Sequence, residues 1–160
     1  MKRVIINAYQ VGLVFKKNEY KRMLKEGIYW LWSEDVFVYD VTKPLVPVIE
    51  LNILLQDEAL KDALIVVEVK DNEIVLQYEN GLLKQVLNAG RYAFWKSVIQ
   101  YDFIKADTSK IEITENINKA TLQHKLLMPY VRMYTIESYE KALLFVDGNF
   151  VQVLNSGIYY

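Results

Sequence analysis

The sequence predicts a predominantly β, α+β fold made of tandem β-rich repeats, and three observations support this prediction. A Leu-x-x-Gly-x-Tyr motif occurs three times within the 160 residues. A candidate two-residue hairpin turn precedes the motif in each copy, between two apolar runs. Residues that favour strands are frequent, with 12 tyrosines beside many valines and isoleucines. We therefore expect repeats of one hairpin plus two further strands, joined by short helices.

The repeated motif sets the period of the chain. Its Leu, Gly and Tyr are Leu24, Gly27 and Tyr29 in the first copy, Leu87, Gly90 and Tyr92 in the second, and Leu154, Gly157 and Tyr159 in the third. The glycines are 63 and then 67 positions apart, which is longer than the period of most solenoids and long enough for a small β unit. The glycine is expected to allow a turn or a close backbone approach that a Cβ atom would block.

The predicted hairpin turns lie between the first two strands of each copy. Asn80-Gly81 and Asp147-Gly148 are strong turn pairs. Asn18 takes the same place in the first copy, because asparagine tolerates a positive φ better than most residues. The second strand of each hairpin is predicted to end at the motif leucine, and the motif tyrosine begins a third strand.

The first two copies continue beyond the tyrosine in the same way. Both read Gly-x-Tyr-x-apolar-Trp, which ends at Trp32 and at Trp95. A fourth strand is predicted at 36–39 and at 103–106, each followed by an Asp and, three residues later, a Lys. The third copy can be aligned only as far as Tyr160, so we expect a truncated third repeat and interpret the chain as an N-terminal fragment.

Two connectors with short helices are predicted between the repeats. One helix is expected over 56–64, with acidic residues at its start, where carboxylates are favourable. A second is expected over 116–127 and ended by Pro129. The segment flanked by Pro44 and Pro47 lacks two backbone donors and cannot form a central strand.

These elements divide the chain into five predicted segments. They are repeat 1 at 1–43, a connector at 44–66, repeat 2 at 67–110, a connector at 111–132 and the truncated repeat 3 at 133–160.

Charge and hydropathy narrow the classes of partner. The net charge is minus 1 and the 19 basic residues are scattered. Nucleic-acid binding needs a basic stripe, so nucleic acid is not expected as a partner. The densest basic cluster, around the first hairpin turn, is interpreted as solvated charge, with contact to acidic lipid headgroups as the alternative. No apolar run approaches the roughly 20 residues that span a bilayer. We expect a cytoplasmic chain, with a peripheral membrane location as an alternative for the full-length protein.

No catalytic constellation is recognisable. The single histidine, His124, has no cysteine or carboxylate cluster beside it and is interpreted as a helix residue. No serine lies in a Gly-x-Ser-x-Gly elbow, and the chain has no Gly-rich phosphate loop or dinucleotide fingerprint. Carboxylate pairs, such as Asp71 with Glu73, are interpreted as charges at the ends of elements. The prediction is a non-enzyme without a metal or a cofactor.

The tryptophans allow two interpretations. Trp30, Trp32 and Trp95 could form a stacking surface for sugars or bases, but their repeated place after Gly-x-Tyr favours packing in a core. A soluble β protein that binds carbohydrate or lipid at an aromatic-lined site is therefore the alternative function.

The motif and the strands before it resemble the opening of the stomatin/prohibitin/flotillin (SPFH, or band 7) domain, particularly that of slipins, the bacterial stomatin-like proteins. That opening has a Glu or Gln, a Gly-containing apolar strand, a tight turn, a second strand and then Leu-x-Pro-Gly-x-aromatic. The copies are similar to it from Gln10 to Trp30, from Glu73 to Trp95 and from Glu140 to Tyr159. The proline before the glycine is replaced in all three copies, and only the third copy is placed to begin the family's domain.

The resemblance implies a function without catalytic residues. SPFH proteins are scaffolds that oligomerise, often at a membrane, and some are paired with a membrane protein or a membrane protease. The expectation for this chain is a scaffold or protein-interaction module that self-associates in the full-length protein. Its edge strands are candidates for pairing between protomers.

Overall fold

The computed structural model describes residues 1–160 and confirms the β-rich character of the chain. The strands form three groups, called here units 1, 2 and 3, which are separated by connectors 1 and 2. Unit 1 contains β1 (Lys2–Ile6), β2 (Gln10–Lys16), β3 (Glu19–Leu24), β4 (Gly27–Leu31) and β5 (Asp35–Asp40). Connector 1 contains the helices α1 (Leu51–Leu54) and α2 (Glu58–Asp62).

The remaining elements belong to the second part of the chain. Unit 2 contains β6 (Leu64–Val69), β7 (Glu73–Glu79), β8 (Leu82–Leu87), β9 (Gly90–Trp95) and β10 (Tyr101–Asp107). Connector 2 contains the helix α3 (Lys119–Leu122). Unit 3 contains β11 (Tyr134–Ile136), β12 (Ala142–Val146), β13 (Asn149–Leu154) and β14 (Gly157–Tyr159).

All strand pairs are antiparallel, and the pairing order is the same in units 1 and 2. The first strand pairs with the fourth, as β1 with β4 and β6 with β9. The second strand lies between the third and the fifth in both units. The order is β3-β2-β5 in unit 1 and β8-β7-β10 in unit 2. Unit 3 has the pairs β11 with β14 and β12 with β13. The result is six small sheets of two or three strands.

The hairpin turns form where the sequence predicts them. Both central residues of each turn have positive φ, at Lys17-Asn18, Asn80-Gly81 and Asp147-Gly148. This is the type I′ geometry, whose twist suits a two-residue hairpin. The second strands of the three hairpins end at the motif leucines.

The two predicted helices are shorter in the structure. Within 56–64 only Glu58–Asp62 is helical, and Leu64 already belongs to β6. Within 116–127 only Lys119–Leu122 is helical, and turns follow it. The predicted bounds were wrong, because the first turn of a helix fixes many dihedral angles for one hydrogen bond and such short segments do not propagate it.

The first strand of each unit was not predicted. β1, β6 and β11 each pair with a strand that is distant in sequence, as Lys2 with Leu31, so no local turn indicates them. β6 begins inside the connector predicted for 44–66. The segment between Pro44 and Pro47 forms no strand, and Leu45 makes only an isolated bridge to Ala93.

None of the three helices is long and apolar enough to cross a bilayer.

Candidate functional site

The Leu-x-x-Gly-x-Tyr motif forms the same local structure in all three units. The motif glycines have φ between 151° and 154°, a backbone conformation that L side chains rarely adopt. The tyrosine two residues later lies over the glycine, and its hydroxyl donates a hydrogen bond to the carbonyl oxygen four residues earlier. These bonds join Tyr29 to Lys25 at 2.9 Å, Tyr92 to Asn88 at 3.0 Å and Tyr159 to Asn155 at 2.9 Å.

A second local structure precedes each hairpin. The side chain of a Gln or Glu at the start of the hairpin accepts a hydrogen bond from the backbone N–H three residues earlier. These bonds join Asn7 to Gln10 at 3.1 Å, Lys70 to Glu73 at 3.2 Å and Glu137 to Glu140 at 3.1 Å. The Gln or Glu of the sequence pattern therefore closes a turn.

The aspartates that end the fifth strands of units 1 and 2 also bind groups of the residue two positions later. Asp40 accepts from the N–H and the hydroxyl of Thr42, and Asp107 accepts in the same way from Ser109. These hydrogen bonds lower the pKa of both carboxyls. The two carboxylates are therefore occupied in local turns.

Asp57 joins connector 1 to unit 1. Its carboxylate caps α2 by accepting a hydrogen bond from the Ala59 N–H at 2.9 Å. The same carboxylate accepts from the Tyr20 hydroxyl of β3 at 2.6 Å. The acidic start of the predicted helix is therefore also a tertiary contact.

No group of three or more His, Asp or Glu residues is placed to hold a metal ion. The Nδ1 atom of His124 accepts a hydrogen bond from the Leu126 N–H at 3.2 Å, within the turns of connector 2. The His124 ring therefore binds the backbone of its own turn in the structure.

The three tryptophans do not share one environment. Trp95 on β9 is 1 % exposed, whereas Trp32 is 70 % exposed and Trp30 is also exposed. The prediction of core packing is therefore wrong for Trp30 and Trp32. The motif places Trp32 and Trp95 at the same distance after the glycine, but burial depends on whether another part of the chain lies against the strand.

Trp95 packs into the core between units 1 and 2. Leu13 and Phe15 of β2 form one side of this core, and Leu64, Ala93 and Trp95 of unit 2 form the other. Connector 1 closes the core with its buried leucines Leu45, Leu51, Leu54 and Leu60. This contact is called here the internal junction.

Unit 1 has its own counterparts of the unit 2 residues that form the internal junction, and these counterparts are exposed. Alignment on the motif glycine and the strand register places Met1, Trp30 and Trp32 where unit 2 has Leu64, Ala93 and Trp95. All three are exposed. They are called here the front face.

Unit 3 likewise has counterparts of the unit 1 residues that form the internal junction, and these counterparts are also exposed. Leu143, Phe145, Phe150 and Val153, called here the rear face, align with Leu13, Phe15, Tyr20 and Met23. Leu143 is 60 % exposed, whereas Leu13 is fully buried. The rings of Phe145 and Phe150 meet edge to face at 5.8 Å and 68°, nearly as Phe15 and Tyr20 do at 5.7 Å and 68°. The rear face therefore has nearly the same geometry as the unit 1 side of the internal junction, which is buried.

A cavity of about 310 Å³ lies between unit 2, connector 2 and unit 3, which contributes Tyr134. Most of its lining is apolar, and it includes Ile74 and Leu76 of β7, Leu127 and Val131 of connector 2, and Tyr160. Its charged groups are those of Asp107, Lys110, Glu112, Glu115 and Arg132. Nothing in the sequence pattern indicated this cavity, because its walls come from positions far apart in the chain.

The charged groups of the cavity are paired in part. The Lys110 ammonium lies 3.7 Å from the Glu115 carboxylate, which also accepts a hydrogen bond from the Asp107 backbone N–H at 3.2 Å. The hydrogen bond from Asp107 is the largest of the effects that lower the pKa of the Glu115 carboxyl. Glu115 and Asp107 therefore stay ionised at neutral pH, beside an apolar interior.

Comparison of the chain with protein-family models, with curated proteins and with solved structures found no match. The similarity to the SPFH family therefore stays a prediction from the motif residues.

Proposed function

We propose that the chain is a non-enzymatic interaction scaffold that self-associates head to tail, with the front face of one copy against the rear face of the next. One observation carries the proposal: the two sides of the buried internal junction each have an exposed counterpart, one in unit 1 and the other in unit 3. Trp32 is the counterpart of Trp95, and Leu143 is the counterpart of Leu13.

The proposal includes the hypothesis that the three units are copies of one β unit. The equal strand pairing, the type I′ turns, the three tyrosine–carbonyl bonds and the three Gln or Glu turns all support it. If the units are copies, a contact that is stable between units 1 and 2 is available between the free counterparts in two molecules.

The apolar character of the two faces supports association. Large apolar side chains that are exposed as a contiguous group mark interaction sites in soluble proteins. Burial of aromatic side chains dominates the energetics of such contacts. A contact between two different faces is heterologous, so repeated addition builds open chains or closed rings. Such assembly is in keeping with the oligomeric scaffolds of the SPFH family that the motif resembles.

Sedimentation velocity over a range of concentrations tests the proposal. We expect the weight-average sedimentation coefficient of the unaltered chain to rise with concentration. Trp32→Lys and Phe145→Lys should each abolish this rise, because each places a charge in one of the two apolar faces that the contact requires. Leu82→Lys is the matched control, since Leu82 is exposed on β8 and belongs to neither face. A chain that stays monomeric at every concentration, or association that is unchanged in both face variants, contradicts the proposed function.

A further inference from the structure

We propose that a second pocket, beside the hairpin turn of unit 2, binds the arginine side chain of a partner polypeptide. The inference does not rest on the equivalence of the units, and it concerns a surface apart from the front face and the rear face. It identifies the ligand from the charge and the shape of the side chains that line the pocket.

The pocket lies between the sheet of unit 2 and the first part of connector 2. It measures about 260 Å³ and opens to solvent. Pockets for drug-sized ligands begin at roughly 300 Å³, so this volume suits the end of one side chain. Its lining residues are Tyr78, Gly81, Asp102, Ile104, Asn116 and Asn118.

Tyr78 and Asp102 lie side by side on one face of the sheet. They are directly opposite in the antiparallel pairing of β7 with β10, where the Cβ atoms of a pair are about 4.5 to 5.5 Å apart. Tyr78 packs against the buried cluster of Ile74, Leu76 and Leu127, which holds its ring in place. Asp102 is exposed. A fixed aromatic ring therefore lies next to an accessible carboxylate.

The charge of the pocket is negative. The carboxylate of Asp102 is the only charged group among the lining residues, and it takes part in none of the ion pairs of the chain. A cation that enters the pocket therefore meets one opposite charge and no like charge in the lining. Electrostatic complementarity of this kind favours a cationic ligand.

Connector 2 provides neutral polar groups on the other wall. Asn118 is the N-cap of α3, and its side-chain oxygen accepts a hydrogen bond from the Thr121 N–H at 2.8 Å. This bond fixes the position of the wall. The amide of Asn116 has an oxygen that can accept hydrogen bonds. A ligand with several donors can therefore bind Asp102 and Asn116 together.

A guanidinium group matches these features better than an ammonium group does. It is planar and stacks on an aromatic face, and its fork of N–H donors binds a carboxylate through two parallel hydrogen bonds. Its other donors stay available for an amide oxygen such as that of Asn116. A lysine ammonium is hydrated more strongly and has no plane that could stack on Tyr78.

The single charge of the lining also favours an arginine within a polypeptide. A free arginine molecule carries an α-carboxylate as well, and the lining has no cationic group to bind it. An arginine residue inside a chain carries no such charge. Its main chain can remain in solvent at the open side of the pocket.

An NMR titration of the isotope-labelled full chain with the acetylated and amidated tripeptide Gly-Arg-Gly tests the inference. We expect the backbone amide signals of Gly81, Asp102 and Asn116 to shift saturably. The dissociation constant should be on the order of 1 mM, which is ordinary for a ligand group of this size.

Three further ligands define what the pocket recognises. The tripeptide Gly-citrulline-Gly has nearly the same shape but no charge, and it should bind at least about tenfold more weakly, because it loses the charge-assisted bonds to Asp102. Gly-Lys-Gly keeps the charge and should also bind more weakly than Gly-Arg-Gly. Free L-arginine should bind no more tightly than the blocked tripeptide.

Asp102→Asn tests the site from the protein side. It should weaken binding of Gly-Arg-Gly at least about tenfold, because the amide keeps the shape of the side chain but not its charge. Asp71→Asn is the matched control and should bind as the unaltered chain does, since Asp71 is an exposed aspartate of unit 2 that does not line the pocket. The dispersion of the amide signals verifies that both variants are folded.

Phe145→Lys separates this inference from the proposed function. That variant lacks the rear face but keeps the pocket, so it should bind Gly-Arg-Gly as the unaltered chain does. Loss of self-association with unchanged peptide binding is therefore the expected result.

Absence of saturable shifts at the three amide signals overturns the inference. Equal binding of the citrulline peptide, or unchanged affinity in Asp102→Asn, overturns it as well. Gly-Lys-Gly that binds as tightly as Gly-Arg-Gly overturns the assignment to a guanidinium group, and tighter binding of free L-arginine overturns the polypeptide source.

Discussion

The tyrosine of each motif closes its own glycine turn. Its ring lies over a glycine at which an added Cβ would be 3.3 to 3.6 Å from the ring, and its hydroxyl satisfies a carbonyl group four residues earlier. The spacing of Gly and Tyr is therefore a requirement of local geometry: glycine for the unusual φ, and tyrosine for a ring with a donor at its far end. This explains why the glycine and the tyrosine recur together at this spacing.

Tyr92→Phe tests the hydroxyl bond of the motif. We expect the free energy of unfolding to fall by about 1 kcal/mol, which is typical for loss of one hydrogen bond to a backbone carbonyl. Urea denaturation measures the change. Tyr139→Phe is the matched control because Tyr139 is highly exposed, and equal effects of the two substitutions would argue against the role of the motif hydroxyl.

Tyr20 makes the free energy of unfolding depend on pH in the alkaline range. Burial, followed by the hydrogen bond to Asp57 and the charge of that carboxylate, raises the pKa of Tyr20 above its usual value of 10.0. Since the folded-state pKa lies above the unfolded one, the stabilisation is fully present below about pH 10 and is lost as pH rises above it.

Urea denaturation between about pH 9 and pH 11 checks this dependence. The free energy of unfolding should decline with pH, and Tyr20→Phe should make the decline less steep. Burial also raises the pKa of Tyr39 and of Tyr101, so part of the decline should remain. An identical slope in Tyr20→Phe would show that the Tyr20 hydroxyl does not titrate differently in the two states.

At the scale of the elements, hairpins were predictable and their packing partners were not. A type I′ turn depends on two residues, so Asn80-Gly81 identifies it without any other part of the chain. β1 could not be identified in this way, because its partner β4 is distant in sequence. The buried Trp95 and the exposed Trp32 follow the same motif, and the local sequence does not indicate which of the two packs in a core.

Exchange of the residues at the second turn position between units 1 and 2 tests the role of glycine in the hairpin turns. Asn18 and Gly81 occupy the second turn position, with φ of 63° and 83°. We expect Asn18→Gly to raise the free energy of unfolding by about 0.5 kcal/mol and Gly81→Asn to lower it by about the same amount, because glycine adopts positive φ without the steric cost of a Cβ. Urea denaturation of both variants checks the prediction, and changes of the same sign would contradict it.

At the scale of the whole molecule, the internal junction accounts for both exposed faces. It brings an apolar strand face of one unit against a tryptophan-bearing strand of the next, with connector 1 closing the core. Under the proposed equivalence of the units, the front face and the rear face are the same two surfaces without a neighbour. The hairpins and the motif turns were predictable from local residues, whereas the surfaces between units emerge only from the packed structure.

The most direct test of this account is an equal mixture of two variants, Trp32→Lys and Phe145→Lys, in sedimentation velocity. Each variant keeps one intact face, so a head-to-tail contact can form only between the rear face of the first and the front face of the second. We predict that each variant alone is monomeric and that the mixture contains a one-to-one dimer that does not grow further. A mixture that stays monomeric, or a variant that self-associates alone as strongly as in the mixture, would contradict the head-to-tail contact.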